Sequence, residues 1–145
     1  MGYCSDQEYL DFFSAVYDFE KMLTGAGIQI VKYYLDISKR EQALRLQQRQ
    51  TDALKQWKNS PVDAKAQNLW HEYSLARNRM LEETNFGFTP WIIIDADDKR
   101  AARVNIIRDL LQQVGCPGFE PDAVRPNPDL VRPYSILGSV QSLYP

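Results

Sequence analysis

The sequence predicts an α/β fold, a small sheet of apolar strands with a helical hairpin projecting from it. Two runs, Ile28 to Leu35 (IQIVKYYL) and Trp91 to Ile94 (WIII), are short, nearly continuous and rich in β-branched and aromatic residues. That pattern belongs to strands covered on both faces, as in a parallel sheet. The long excursion between them is helical in pattern, with start signals at Ser38 and Ser60. If the strands are parallel, the segments that leave their carboxyl ends share one rim, the usual position of ligands in such sheets.

Taken in order, Ser5-Asp6-Gln7-Glu8 forms a capping box. The helix it opens carries Tyr9, Phe12, Phe13, Val16, Tyr17, Phe19 and Leu23 and stops at Gly25-Ala26-Gly27. Those glycines do not make a dinucleotide loop, because they follow a helix and lead into a strand. Lys32 interrupts the first strand, and its stem is expected to be buried with the ammonium at an edge. Ser38-Lys39-Arg40-Glu41 reads as a second capping box, opening a helix to about Thr51. Ala53, Leu54 and Trp57 then read as the apolar underside of a loop. Ser60-Pro61-Val62-Asp63 starts a further helix. Val62, Ala66, Leu69, Tyr73, Ala76 and Met80 recur there at alternating intervals of 4 and 3, a seam for packing on a partner helix. His71 lies off that seam and reads as a rim residue. After Gly87, Pro90 sets the entry to the second strand, and a helix runs from about Asp98 to Val114. Its inward residues are expected to be Val104, Ile107, Leu111 and Val114, and Gly115 and Pro117 stop it. Six of the eight prolines fall in residues 116–145, so that stretch reads as a tail, extended, loosely packed or disordered.

Chemistry-bearing side chains concentrate in two places. From Ser38 to Asp63 lie Lys39, Arg40, Arg45, Arg49, Lys55 and Lys58, six of seventeen basic residues. Arg45 and Arg49 are four apart and project from one helix face. Forked guanidiniums with point-charge ammoniums suit an extended polyanion. The same spacing also suits a solvated helix in which Glu41 pairs with Arg45. The second cluster, Asp97-Asp98-Lys99-Arg100 with Arg103, puts cations at a helix start, where the macrodipole disfavours them by roughly 0.3–1 kcal/mol each. Asp97 or Asp98 as N-cap explains the acids; an anion or nucleotide held there would account for the cations.

Composition narrows the classes. One hundred and forty-five residues suffice for one domain with a sizeable core. A net charge of −2 leaves no global field for nucleic acid, so any polyanion site is a local patch. Two cysteines, Cys4 and Cys116, give neither a disulfide framework nor metal spacing. A lone histidine leaves no His-Cys or Ser-His-Asp site. There is no leader and no apolar run near membrane-spanning length, so a cytoplasmic protein without a membrane or nucleic-acid partner is expected.

Several ordered pieces together resemble the polyphosphate kinase 2 family, over about Met1 to Val114. They are Lys32-Tyr33-Tyr34-Leu35 with Ile37-Ser38 and Glu41-Gln42, Arg45 with Arg49, Leu54-Lys55-Gln56-Trp57-Lys58 with Ser60-Pro61 and Asp63, Tyr73 with Ala76-Arg77, and Pro90-Trp91 with Ala96-Asp97-Asp98-Lys99 and Ala102-Arg103. The resemblance implies a P-loop kinase-like parallel sheet, similar to thymidylate kinase, with residues 36–87 as a helical lid. It implies phosphoryl transfer between inorganic polyphosphate and a nucleoside diphosphate such as ADP or GDP, with Mg²⁺, in a protein that is a homo-oligomer at full length. Arg45 would then be catalytic, Arg49, Lys55 and Lys58 would line the polyphosphate path, and Asp97 and Lys99 would lie beside the nucleotide base. Such chemistry is mostly positioning and charge neutralisation.

The departures are as informative. No G-x-x-x-x-G-K-[ST] phosphate loop occurs, and the family's Walker-B-type acid with its following Arg is missing. Residues 1–115 therefore read as the carboxyl-terminal part of a kinase domain, inactive alone and without protein ligands for Mg²⁺. A truncated, non-catalytic anion-binding or interaction module, or a plain helical scaffold, is the alternative.

Overall fold

The computed structural model describes residues 4–58, 60, 62–115, 118 and 125–135. Its elements are α1 (Asp6–Gly25), β1 (Lys32–Asp36), α2 (Lys39–Thr51), a 3₁₀ turn (Gln56–Lys58), α3 (Asp63–Ala66), α4 (Trp70–Glu83), β2 (Trp91–Asp95), α5 (Lys99–Val114) and β3 (Val131–Pro133). The architecture is α/β, but the sheet is mixed. β1 and β2 run parallel, with Lys32 opposite Trp91 and Asp36 opposite Asp95, while β3 pairs antiparallel with β2. The expected parallel sheet is thus corrected by a strand from the proline-rich tail. Pro133 is tolerated there because a strand at the sheet edge need not donate from every backbone nitrogen. Residues 116, 117, 119–124 and 136–145 of that tail lie outside the described residues.

β2 alternates between two small cores, which explains its unbroken apolar character. Ile94 packs with Ala96, Ala102 and Val131 on the α5 side, joined by Tyr33, Ile92 and Ile106. Ile93 packs with Leu81 of α4 on the other side, joined by Tyr34, Met80 and Trp91. β1 is covered less fully, since Leu35 remains 53% exposed. Regular strand structure also begins only at Lys32, four residues later than the apolar run suggests.

α5 meets the sheet through a different face from the one expected. Val104, Ile107 and Val114 are exposed, and Ala102 and Asn105 are buried instead. Small Ala102 allows close approach to the core, and Tyr33 Oη donates to Asp109 Oδ2 at 2.6 Å. Asn105 Oδ1 accepts from Asn127 N at 2.7 Å, fixing the turn that leads into β3. Polar groups therefore set the register of this helix, and periodicity of apolar residues does not reveal it. The seam through Tyr73, Ala76 and Met80 is likewise not closed by a partner helix. It is interrupted between α3 and α4, and it faces an open groove.

The amino ends of the strands are held by a buried ion pair. Lys32 Nζ donates to Glu20 Oε2 of α1 at 2.8 Å and to the Thr84 carbonyl beyond α4 at 2.6 Å. Thr89 Oγ1 donates to the same carboxylate. The ammonium also lies 4.9 Å from the Phe86 ring centroid and 5.2 Å from that of Trp91. The head group was expected at an edge, but it sits inside because every proton finds an acceptor or an aromatic face. Replacing Lys32 by Met should leave Glu20 buried without its cation and destabilise the fold by about 3–5 kcal/mol. Chemical denaturation of Lys32→Met against the parent chain measures this, and a loss below about 1 kcal/mol would contradict the buried-pair reading.

Candidate functional site

Because β1 and β2 are parallel, the α2 connection and the loop before α5 do emerge on one rim. The rim is stitched by backbone and side chain together. Ala96 N donates to the Asp36 carbonyl at 2.8 Å, and Ser38 N donates to Asp97 Oδ1 at 2.8 Å. Ser38 Oγ accepts from Glu41 N at 3.0 Å, one half of the expected capping box. The reciprocal half is absent, since Glu41 turns to Arg45 Nε at 2.7 Å and Asp97 takes its place at Ser38. Asp98 is the N-cap of α5, accepting from Arg100 N and Ala101 N. These two backbone hydrogen bonds hold its carboxyl below the usual carboxylate range.

Arg45 reaches from α2 across the rim and donates through Nη2 to the carbonyls of Ala96 and Asp97. A guanidinium so fixed presents the rest of its charge in one place. Arg49 pairs with Asp63 Oδ2 at 2.7 Å, tying α2 to α3. Lys55 lies 3.0 Å from Asp52, and Lys58 lies 5.0 Å from the Trp57 ring centroid. Arg49 thus spends part of its charge on an acid within the hairpin.

The electrostatic evidence for convergence comes from Lys99. Its ammonium is held below the ordinary lysine range, first by partial burial and then by the positive charge of Arg45, with Lys58 and Lys55 acting the same way and Glu41 opposing. Four of the expected site residues therefore feel one another across the gap between hairpin and α5. Arg45, Lys99 and Arg103 line a cavity of about 310 Å³ whose apolar wall is Leu35, Ile37 and Ile106. Arg103, which the sequence places in the second cation cluster without assigning it to polyphosphate or base, belongs to this set through its spacing of four from Lys99. Asp97, in contrast, has its carboxylate occupied by Ser38 and acts by fixing the loop.

The rim does not suit a divalent ion. Among the described residues no three His, Cys, Asp or Glu side chains cluster as a metal site. Asp95 accepts from Asp97 N, Asp97 from Ser38 N, and Asp98 caps α5. The residues present thus do not fit the Mg²⁺ that a kinase of this kind implies. No described helix is long and apolar enough to cross a membrane.

The fold is thus α/β, with guanidinium and ammonium groups of Arg45, Lys99 and Arg103 gathered over one cavity at its rim. Residues 1–119 match the family model for polyphosphate kinase 2, and the chain belongs to that family. It is 48% identical over 114 residues to the ADP-polyphosphate phosphotransferase of Pseudomonas aeruginosa, covering 79% of this chain and 38% of that protein. It is 40% identical over 136 residues to the GDP-polyphosphate phosphotransferase of the same bacterium, covering 93% and 38%. Among solved structures, polyphosphate kinase 2 from Arthrobacter aurescens superposes with a TM-score of 0.71 at 34% identity, over 81% of this chain and 45% of that one. The chain spans about two-fifths of the length of these curated relatives, 38% in both cases.

Arg45 and Asp97 hold the rim as well as charging it. Removing either leaves partly buried backbone groups without partners, so Arg45→Ala and Asp97→Ala should each cost roughly 1–3 kcal/mol of stability. Urea unfolding monitored by circular dichroism checks this, and Arg100→Ala, at an exposed first-turn position, should stay within about 0.5 kcal/mol of the parent.

Proposed function

We propose that this chain contributes the polyanion-binding half of a polyphosphate-dependent nucleotide kinase, with a P-loop kinase-like fold and residues 36–87 as its lid. The observation that carries this reading is the cavity of about 310 Å³ that Arg45, Lys99 and Arg103 line together in a chain whose net charge is −2. Cations gathered around one recess favour an anion between them. The relatives' names, which specify ADP or GDP with polyphosphate, support the choice of anion.

In this reading a terminal phosphoryl group of polyphosphate passes in line to the β-phosphate oxygen of a nucleoside diphosphate. A new P–O bond forms there as the bond to the polyphosphate chain breaks, leaving that chain one phosphate shorter. Arg45 neutralises charge on the transferring group, and its carbonyl contacts hold the guanidinium so that little reorganisation is needed. Lys55 and Lys58 guide the polyanion, Lys99 meets phosphate at the start of α5, and Arg49 steadies the hairpin through Asp63. Asp97 positions the loop from which Lys99 projects.

The chain alone should bind the polyanion without turning it over, since the phosphate loop is absent from its sequence. Calorimetric titration with inorganic tripolyphosphate should give binding that weakens steeply with salt, and less steeply in Lys58→Gln/Lys99→Gln. Incubation with polyphosphate, Mg²⁺ and ADP should yield no sustained ATP. Unchanged affinity and salt slope in the double variant would reject the site, and enzyme-like turnover would reject the division of labour.

A pH dependence follows from Lys99. A bound polyanion favours its ammonium form, so binding takes up a proton wherever the free side chain is deprotonated. Affinity should therefore fall as pH rises through the free-state pKa of Lys99, which lies below that of an unperturbed lysine. Lys99→Arg, charged throughout, should lose this early fall while retaining binding. Titration calorimetry across alkaline pH compares the two.

A further inference from the structure

Large apolar side chains reach the surface of this chain in two kinds of place. Beside the β1 terminus, Tyr9, Phe13, Trp70 and Tyr73 wall a groove of about 640 Å³ between α1 and α4, where Asp36 and Arg77 also lie. Those rings are recessed around a hollow. Leu54 and Trp57, in the turn after α2, instead project. They are 84% and 78% exposed, the highest values among the large apolar residues described, and they line neither that groove nor the cation cavity. The sequence predicts them on the underside of a loop; the structure corrects this, because the turn closes on its own backbone and covers neither side chain. Trp57 Nε1 donates to the Leu54 carbonyl at 3.0 Å, and Lys58 Nζ lies 5.0 Å from the indole centroid.

We infer that this turn is a docking surface for an anionic lipid bilayer, with Leu54 and Trp57 entering the interface and the cations around them meeting headgroup phosphates. The inference goes beyond the proposed function and does not rest on it. Two apolar groups that project from a turn do not enclose a ligand, but they do enter a deformable phase. An indole prefers the boundary between headgroups and hydrocarbon. Its entry here leaves no donor unpaired, since Nε1 is already bonded within the turn. The Lys58 ammonium, held at the ring, stays at headgroup level while its stem follows the indole. The charge around the turn has the matching sign. Residues 39–58 carry six cations against Glu41 and Asp52, in a chain of net charge −2. Asp52, the one acid of residues 52–58, is paired with Lys55 at 3.0 Å. Inorganic polyphosphate would use these cations but neither apolar group, and a nucleic-acid strand would stack on Trp57 but has no use for Leu54. Adsorption to a surface needs no spanning helix, so the sequence-based expectation of no membrane partner, which rests on the lack of such a run, does not bear on it.

The test is co-sedimentation of the whole chain with vesicles of phosphatidylcholine and phosphatidylserine, about two to one, beside vesicles of phosphatidylcholine alone. The chain should sediment with the first and not the second, and salt should release it. Lipids brominated in the acyl chain should quench its tryptophan fluorescence. Trp57→Phe should still sediment but lose that quenching, since Trp70 and Trp91 lie outside the turn. Leu54→Ser/Trp57→Ser should weaken vesicle binding at least about tenfold, with circular dichroism and tripolyphosphate affinity as in the parent. Both positions are exposed, so the double variant tests the surface and not the fold. Equal sedimentation with neutral vesicles, or unchanged binding of the double variant, would overturn the inference. Absence of vesicle binding by the parent would overturn it as well, and the turn would then be a surface for a protein segment. If a single-stranded oligonucleotide binds in place of vesicles and Trp57→Ser weakens it, the turn is a stacking platform and not a lipid site. Loss of tripolyphosphate binding with vesicle binding intact would reject the proposed function alone.

Discussion

The ion pair between Lys32 and Glu20 is the contact on which the arrangement of the chain most depends. It joins α1 to β1, and through Thr84 and Thr89 it gathers the end of α4 and the entry to β2. The helix α1, the strand β1 and the α4–β2 connection meet at one ion pair. A buried charge pair adds little net stability over an apolar substitute of the same shape, but breaking it is costly. Its contribution is accordingly one of position. With the amino ends of β1 and β2 pinned and the strands parallel, their carboxyl ends must lie side by side, and the connections that leave them must share a rim.

At that rim the physical problem is reversed. The amino-end junction pairs its buried charges, whereas the carboxyl-end rim sets Arg45, Lys99 and Arg103 around one cavity beside the carboxylates of Glu41 and Asp97. The fold accommodates the accumulation by anchoring the largest cation to backbone. Arg45 donates to two carbonyls and to Glu41, so part of its charge is compensated and its direction is fixed. Lys99 and Arg103 of α5 line the same cavity as this fixed guanidinium.

Much of this was legible in the sequence. The strand cores, the cap at Ser5, the basic helix from Ser38 and the helix after Asp98 follow from local rules, and each is set by residues within a few positions. The shared rim was legible because two continuous apolar runs imply parallel pairing. Contacts made across long separations were not. Nothing near Ser38 shows that its nitrogen donates to Asp97, or that Glu41 abandons the reciprocal cap for Arg45. The α5 register was misread because its inward face mixes Ala102 and Ile106 with polar contacts, Asn105 reaching Asn127 and Asp109 reaching Tyr33. β3 was missed because three residues ending in proline carry little strand signal; pairing with β2 decides their conformation.

The two recesses beside the β1 terminus differ in the kind of rigidity they have. The cation cavity draws its order from hydrogen bonds to fixed carbonyls, and its wall includes Ala96 and Ala102 of the Ile94 core. The aromatic groove draws its order from packing, with Tyr34 in the Leu81–Ile93 core and the Asp36–Arg77 pair buried at its edge. Burial accordingly pushes the Tyr34 hydroxyl above its usual pKa, while the neighbouring guanidinium partly offsets the shift. Only Leu35 and Ile37 divide the recesses, and Leu35 is half exposed on the unpaired edge of the sheet. A change at Leu35 would therefore alter the shape of both at once, whereas a change at Tyr73 or Lys99 reaches one of them. The end of β1 thus borders both recesses, with Asp36 paired to Arg77 at 3.3 Å.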